Sequence, residues 1–403
     1  MGDPARSARF VGLISGTSAD GIDAVLLRVG EAGPDALPDT WVEAFRTTAF
    51  PGPDRARILA AAAGEATTPE IAELRRDLGE WFGTAAREVL ADAGVPAEQV
   101  EAVGCHGQTV WHRPPREGGP GTSLQLVDPA VLAAGVGVPV VHDFRSADLA
   151  AGGEGAPLVP WPDRVLFSRR HESVALQNLG GMGNVTWLPP REDGRPPFAF
   201  DTGPANALMD VCAELASGGA RRYDADGALA VAGTVDRALL ADLLADPFFR
   251  REPPRSTGRE HFGPALVRRL ADERGLTPGR ETEWADLMAT FAALTVESVV
   301  RALERWVLPR GTDRVILTGG GAENPVLVEG IRAGLAPVPV AVGATTLGMD
   351  PGAREAAAFA LLAWAFTRGR CGNVPECTGA SRPAVLGSWT PAPGRTGPWT
   401  ATG

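Results

Sequence analysis

Over the first 50 residues, apolar positions come in short runs broken by polar, glycine-bearing loops. RFVGLI (9–14) is followed by SGTSADGI, then DAVLLRV (23–29), then TWVEAFRTTAF (40–50). Brief apolar runs bounded by turn residues predict strands. The period then changes. In PEIAELRRDLGEWFGTAAREVLADAG the residues Ile71, Leu74, Leu78, Trp81, Phe82, Ala85 and Val89 fall at helical spacing, which predicts a helix stopping at Gly94. VEAVGCHGQTV (100–110) reads as a short strand running into a polar loop. The middle of the chain repeats this grammar. SVALQNLGGMGNVTWL (173–188) is strand, small-residue turn, strand, and FAFDTGPANALMDVCAEL (198–215) is a strand entering a helix whose first turn holds Asn206. WADLMATFAALTVESVVRALERWV (284–307) is helical, and DRVILTGGGAENPVLVEGIRAGL (313–335) is a strand, three glycines and a helix. Two halves that each open on a hairpin around a Gly/Ser/Thr/Asn loop predict a duplicated α/β unit.

Length and composition bound this picture. A chain of 403 residues exceeds one ordinary core, and 44% hydrophobic with 22% charged residues is a globular composition. No apolar stretch reaches the length of a membrane span, and MGDPARSARF does not resemble a signal peptide, so a soluble cytoplasmic protein is expected. A net charge of −11 argues against nucleic acid or an anionic membrane as a general partner. Cys105, Cys212, Cys371 and Cys377 lack metal-type spacing and read as reduced thiols. The chain has no lysine, so its 38 basic residues are all arginine. A Walker-A lysine, a protein-kinase strand lysine and a lysine Schiff base are excluded together. Any ATP must be held by backbone amides, hydroxyls, Mg²⁺ and arginine.

Several loops carry candidate chemistry beside a plainer explanation. Asp20-Gly21 alone suits a hairpin turn, but Ser15, Thr17, Ser18 and a second acid, Asp23, add hydroxyls for phosphate oxygens and a carboxylate for Mg²⁺. QNLGGMGNVT, with Asn178, Gly180, Gly181, Gly183, Asn184 and Thr186, is a glycine-rich hairpin or a second phosphate loop. Gly319, Gly320 and Gly321, between a strand and a helix, sit where a nucleotide can approach backbone. Asp201 follows a strand and precedes a helix, the position of a general base or of an N-cap. His106, Gln108, Thr109 and His112, with Asp143, Arg145, Asp148 and Glu154, supply polar groups; Arg145 suits a substrate carboxylate. Ser256, Thr257, Arg259 and Glu260 could cover a phosphate or cap a helix, and Glu355 opens an apolar helix where the dipole favours a negative charge.

Taken in order, LISGTSADGID, GCHGQTVWH, DFRSADLAAGGEGAPLVP, NLGGMGNVT, FDTGPANALMD, YDADG, RSTGREHF, LTGGGAENPVL, EAAAFALLAW and GNVPECTGA resemble the anhydro-N-acetylmuramic acid kinases from about residue 9 to 388. The resemblance implies the sugar kinase/Hsp70/actin fold, two ribonuclease-H-like α/β domains around a central ATP cleft, and a homodimer. It implies residues 1–145 plus 373–390 as the first domain, on the sugar and phosphate-loop side, 146–372 as the second, on the nucleotide side, and 391–403 as a flexible tail. The implied reaction opens the 1,6-anhydro bridge with water while phosphorylating O6, giving N-acetylmuramic acid 6-phosphate and ADP in cell-wall recycling. On this resemblance Asp201 is the base and Glu355 helps position the water. Gly16, Thr17, Ser18, Ala19, Asp20, Gly21, Ile22 and Asp23 form the ATP loop, with Asp20 and Asp23 on the Mg²⁺ side through water. Asn178, Gly180, Gly181, Gly319, Gly320, Gly321 and Asn324 complete the nucleotide site. His106, Gln108, Thr109, Asp143 and Arg145 face the sugar. Ile14, Val127, Ala205 and Arg255 depart from the family pattern, and Val127 and Ala205 are expected to narrow the pocket. Two other readings compete: a kinase of the same fold for another sugar such as levoglucosan, and a nucleotide-gated regulator without catalysis.

Overall fold

The structure, a computed structural model, describes residues 6–16, 19–33, 36–115, 119–343, 349–350, 352–395 and 397. It divides into two compact units, residues 1–167 with 349–403 and residues 168–348. Both are α/β.

In unit 1 the strands are β1 (Ser7–Ser15), β2 (Gly21–Gly30), β3 (Thr40–Ala49), β4 (Val100–Arg113), β5 (Thr122–Leu126) and β6 (Val140–His142). Their order is β6-β4-β1-β2-β3, with the strand Ser388–Thr390 beside β6 and β5 hairpinned onto β4. β1 pairs antiparallel with β2 and parallel with β4, and β4 runs parallel to β6. Alternation along β1 explains why its apolar run is unbroken. Val11 and Leu13 join one core with Leu78, Phe82 and Val89, whereas Phe10 and Ile14 join another with Phe359, Leu362 and Trp364. A strand covered on both faces must be apolar on both. The first cover is the helix Thr68–Ala93, which ends on Gly94 in the left-handed conformation as its periodicity predicts. The second is the helix Ala353–Thr367, buried along almost its whole length.

That second helix approaches the sheet unusually closely. A Cβ on Gly12 of β1 would lie 1.8 Å from the Ala356 carbonyl oxygen, and one on Gly104 of β4 would lie 2.1 Å from the Phe359 carbonyl oxygen. Only glycine permits this contact.

Unit 2 repeats the plan with β7 (Val174–Leu179), β8 (Met182–Leu188), β9 (Phe198–Pro204), β10 (Arg314–Thr318) and β11 (Val340–Val342) in the order β11-β10-β7-β8-β9. β7 to β9 are antiparallel neighbours, while β10 runs parallel to both β7 and β11. The first strand central, two antiparallel on one side and two parallel on the other, is the ribonuclease-H-like sheet, present here twice. One core, with Trp187, Trp284, Phe291 and Leu327, packs this unit.

The boundaries differ from those expected. Residues 146–167 and the helix Ala353–Thr367 lie within unit 1, where Asp163 and Arg354 form a buried bidentate pair at 2.9 and 2.5 Å. Residues 391–395 are also packed, with Ala392 buried and Arg395 Nη1 donating to the Val100 carbonyl at 2.8 Å. All four cysteines are free thiols, and only Cys371 is exposed. Among the described residues no helix is long and apolar enough to cross a membrane.

The glycine contact predicts an asymmetric mutational response. Gly104→Ala should lower unfolding free energy by about 3 kcal/mol or more, because backbone rather than a side chain must move. Gly33→Ala, which meets nothing within 4 Å, should stay within about 0.5 kcal/mol in urea denaturation.

Candidate active site

The polar groups gather at the C-terminal ends of the central parallel strands in each unit, where open α/β sheets bind ligands. In unit 1, β1 ends at Ser15, where its pairing with β4 also ends, opposite Gln108 in the stretch His106–Thr109. The register slips between Leu13 opposite Cys105 and Ser15 opposite Gln108, with Gly107 at φ +76°. Such a bulge re-aims the side chains around it. Gln108 Nε2 donates to the Gly16 carbonyl at 3.2 Å and so ties the loop to β4. Ser15 Oγ and Gln108 Oε1 are buried without a hydrogen-bond partner among the described residues. Unmet polar groups at a strand end are what a polyanionic ligand and its water would satisfy.

The loop itself closes as a tight turn, with Ala19 N donating to the Gly16 carbonyl at 3.1 Å and Ala19 at φ +52°. Ile22 and Ala19 are buried. Gly21 presses against Thr48, where a Cβ would lie 2.8 Å from its carbonyl oxygen. The two strands and the tight turn of the hairpin reading are therefore present. Thr17 and Ser18 lie outside the described residues. Asp20 is exposed and 3.4 Å from Arg55 Nε. Asp23 accepts from Thr47 Oγ1 at 2.6 Å. Burial raises the Asp23 pKa; the Thr47 bond lowers it, and Asp350 raises it further.

Glu355, in the first turn of the helix Ala353–Thr367, reaches solvent and makes no hydrogen bond or ion pair among the described residues. Surrounding protein raises its pKa; Arg354 and Arg145 pull it down, and Asp23 and Asp163 push it up. Asp23, Asp350 and Glu355 thus leave negative charge that a divalent cation would offset. No three His, Cys, Asp or Glu among the described residues converge to hold a metal by themselves.

His106 is buried and packs on Phe359, with ring centroids 4.6 Å apart. Its Nδ1 lies 3.0 Å from the Gly107 carbonyl and so carries the proton. Nε2 then accepts from Arg145 Nε at 3.2 Å and Nη2 at 2.9 Å. Burial first, then the Arg145 charge, hold its pKa well below the usual histidine range, so the ring is a neutral acceptor. Arg145 Nη1 donates to the Gly155 carbonyl at 2.7 Å. Burial pushes the Arg145 pKa down to about 10 against the pull of Glu355 and Asp148, and the guanidinium stays charged at neutral pH. No carboxylate lies within ion-pair distance of it among the described residues. An oriented, unpaired guanidinium is an anion receptor. Thr109 is half-buried, and its carbonyl accepts from Gln108 Nε2. Asp143 is committed to Ser146, whose Oγ donates to it at 2.7 Å.

In unit 2 the corresponding strands again carry buried oxygens with no hydrogen-bond partner among the described residues, Gln177 Oε1 on β7 and Thr318 Oγ1 on β10. The two glycine loops interlock. A Cβ on Gly319, at φ +79°, would lie 2.4 Å from Asn178 Oδ1, and one on Gly321 would lie 2.8 Å from the Leu179 Cβ. Gly320 is open, with only the Asn206 amide at 3.8 Å. The Gly180 and Gly181 carbonyls accept the first amides of the helix Asn206–Ala216. Asn324 caps the helix Pro325–Leu335, its Oδ1 accepting from Val326 N at 3.0 Å. Asn324 and Asp143 therefore have structural duties, since short polar side chains ahead of a helix cap it.

Asp201 lies on β9 and does not cap the following helix. Its Oδ2 accepts from Thr257 N at 2.9 Å, and its own N–H and carbonyl exchange bonds of 3.0 Å with the Arg255 carbonyl and Nε. Arg255 is buried and donates through Nη1 to three carbonyls, of Phe248, Phe249 and Arg251. The loop 255–257 is thereby a fixed cradle for the Asp201 carboxylate. Ala205 and Val127, expected to narrow the pocket, instead point into the cores of units 2 and 1.

Sequence reasoning missed Asp210, one helical turn beyond Asn206. Burial raises its pKa to about 6 while Arg259 lowers it, and the Arg259 guanidinium also lies over Gly181. The i, i+4 spacing from Asn206 was the available signal. It also missed the Asp163–Arg354 pair, visible only as a lone acid in VPWPDRVLF.

Because the folded pKa of Asp210 exceeds that of the unfolded chain, its ionisation costs stability progressively from about pH 4 to pH 6 and fully above. Asp210→Asn should therefore raise the melting temperature more at pH 7.5 than at pH 4.5, with an upper bound of about 3 kcal/mol. Equal shifts at both pH values would count against the assignment.

Residues 8–392 match the family described as anhydro-N-acetylmuramic acid kinase. Among similar proteins bearing that name, the one from Gloeobacter violaceus is 45% identical over 385 residues, covering 95% of this chain and 98% of its own. Those from Caldanaerobacter subterraneus subsp. tengcongensis and Salinibacter ruber are 40% and 42% identical, each covering 94–95% of this chain and 95–96% of theirs.

Proposed function

Because this chain belongs to the anhydro-N-acetylmuramic acid kinase family, we propose that it uses ATP and water to convert 1,6-anhydro-N-acetylmuramic acid into N-acetylmuramic acid 6-phosphate and ADP. The observation that carries the reading is the fixing of Asp201: the Thr257 amide holds one carboxylate oxygen while main-chain bonds to Arg255 hold the strand. A general base needs this kind of orientation before it needs a special pKa.

Asp201 takes a proton from water as the water oxygen bonds to C1. The C1–O6 bond breaks, and O6 forms its bond to the γ-phosphorus as ADP departs. The leaving oxygen needs no acid, because phosphorus captures it. Glu355, with no competing hydrogen bond, is suited to orient the water. Arg145, aligned by neutral His106, is suited to the lactyl carboxylate of the sugar. Gln108 and Thr109 lie beside it on β4.

The phosphates are assigned to the backbone of Gly16–Asp23 and to the Gly180–Gly181 and Gly319–Gly321 loops. Asp20 and Asp23 would hold Mg²⁺ through water, and the ion would supply positive charge to the phosphates that the chain has no lysine to meet. A homodimer in the cytoplasm completes the proposal.

Asp201→Asn should reduce turnover by about 10²–10⁴-fold while leaving ATP binding, measured by calorimetry, within a factor of a few. In ¹⁸O-water the wild-type product should carry the label at C1. Unlabelled product, or faster turnover on levoglucosan than on the muramic substrate, would sink the reading.

A further inference from the structure

We propose that unit 2 carries a second anion site, a pocket for a phosphate group distinct from the glycine loops assigned to ATP and from the residues assigned to the sugar. The cavity measures about 260 Å³ and is walled by Arg250, Arg255, Arg301 and Arg305, with Phe249 and Trp306 as apolar sides. No acidic residue lines it. In a chain of net charge −11, four guanidiniums converge on one small cavity, Arg255 buried at its wall and Arg250, Arg301 and Arg305 reaching solvent at its mouth.

Elsewhere in the molecule many arginines are spent on carboxylates, Arg57, Arg354 and Arg368 among them. Here Arg301 pairs with Glu297 at 3.1 Å, whereas Arg250, Arg255 and Arg305 form no ion pair among the described residues. Arg305 stacks over Trp306 at 4.6 Å, and Arg250 donates to the Ala245 carbonyl. Arg255 is only 4% exposed, and its Nη2 has no acceptor among the described residues. The Asp201 carboxylate offsets part of the cost of burying Arg255, and an incoming dianion would offset more of it. Mutual repulsion adds to that cost: burial, together with the Arg251 and Arg305 charges and against the pull of Asp201, brings the Arg255 pKa down to about 10. Planar forks suit tetrahedral phosphate oxygens. The volume is at the small-ligand scale, room for a phosphate with a modest organic body.

The pocket also touches the strand of Asp201. Arg255 Nε donates to the Asp201 carbonyl at 3.0 Å. A Cβ on Gly203 would meet the Phe249 ring at 2.7 Å and Ser298 Oγ at 3.3 Å, and both residues line the cavity. An anion drawing Arg255 toward the cavity would pull on the cradle of Asp201, so occupancy would alter turnover without contact with the reacting atoms. That consequence rests on the assignment of Asp201 as base; the binding itself does not.

The test is calorimetric titration of the full chain, saturated with a non-hydrolysable ATP analogue, with inorganic phosphate and separately with glucose 6-phosphate. Saturable phosphate binding should persist with the analogue bound, weaken at least tenfold in Arg305→Ala, and recover in part in Arg305→Lys. Arg301→Ala, whose other contact is the surface pair with Glu297, serves as a second variant should Arg305→Ala lower the melting temperature. Asp201→Asn should bind phosphate as the wild type does, which separates failure of this site from failure of the catalytic reading. Tighter binding of glucose 6-phosphate identifies a sugar phosphomonoester as the ligand, and tighter binding of phosphate identifies the free ion. Absence of saturable heat, competition by the ATP analogue, or equal affinity in the wild type and both alanine variants overturns the proposal.

Discussion

The contact between the helix Ala353–Thr367 and the strands β1 and β4, made backbone to backbone at Gly12 and Gly104, is the constraint on which unit 1 depends. It brings the helix so near that Phe359 packs against His106, and His106 in turn fixes two nitrogens of Arg145. The same helix presents Glu355 from its first turn, held in place next door by the Arg354–Asp163 pair. A single methyl group at either glycine would displace all of these groups together.

Unit 2 reaches a comparable strand-end chemistry by another route. Its glycines serve the close passage of one loop over another, Gly319 and Gly321 against Asn178 and Leu179. Both units nonetheless leave buried oxygens on their first and fourth strands without a partner among the described residues: Ser15 and Gln108 in one, Gln177 and Thr318 in the other. Native proteins rarely tolerate such groups without a ligand or water to meet them.

Much of this was legible in the chain because period and punctuation are local properties. The unbroken apolar run of β1, the helical spacing ending at Gly94 and the repeated hairpins pointed to two like α/β units, and the motif order pointed to the family. Long-range packing was not legible. Nothing local says that residues 353–367 complete the N-terminal sheet, so the boundary expected near residue 145 falls near residue 167. Ala205 and Val127 looked like pocket residues because they flank glycine motifs, yet their side chains serve the cores. Asn324 caps a helix and Asp143 accepts from Ser146, structural bonds that an expectation of ligand contact did not include. The Arg145–His106 pairing joins residues 39 apart through a bulge that sequence does not announce.

The discontinuity of unit 1 sets an order of events at the ribosome. Unit 2 is one continuous segment, whereas the sheet of unit 1 waits for a helix encoded 186 residues after residue 167, the end of its first segment. At about 5–20 residues per second that wait lasts roughly 10–40 s. During it, the β1 and β4 face with Phe10, Ile14 and Ala102 has no cover, so the nascent chain carries an apolar sheet surface for chaperones to shield while its second half is made.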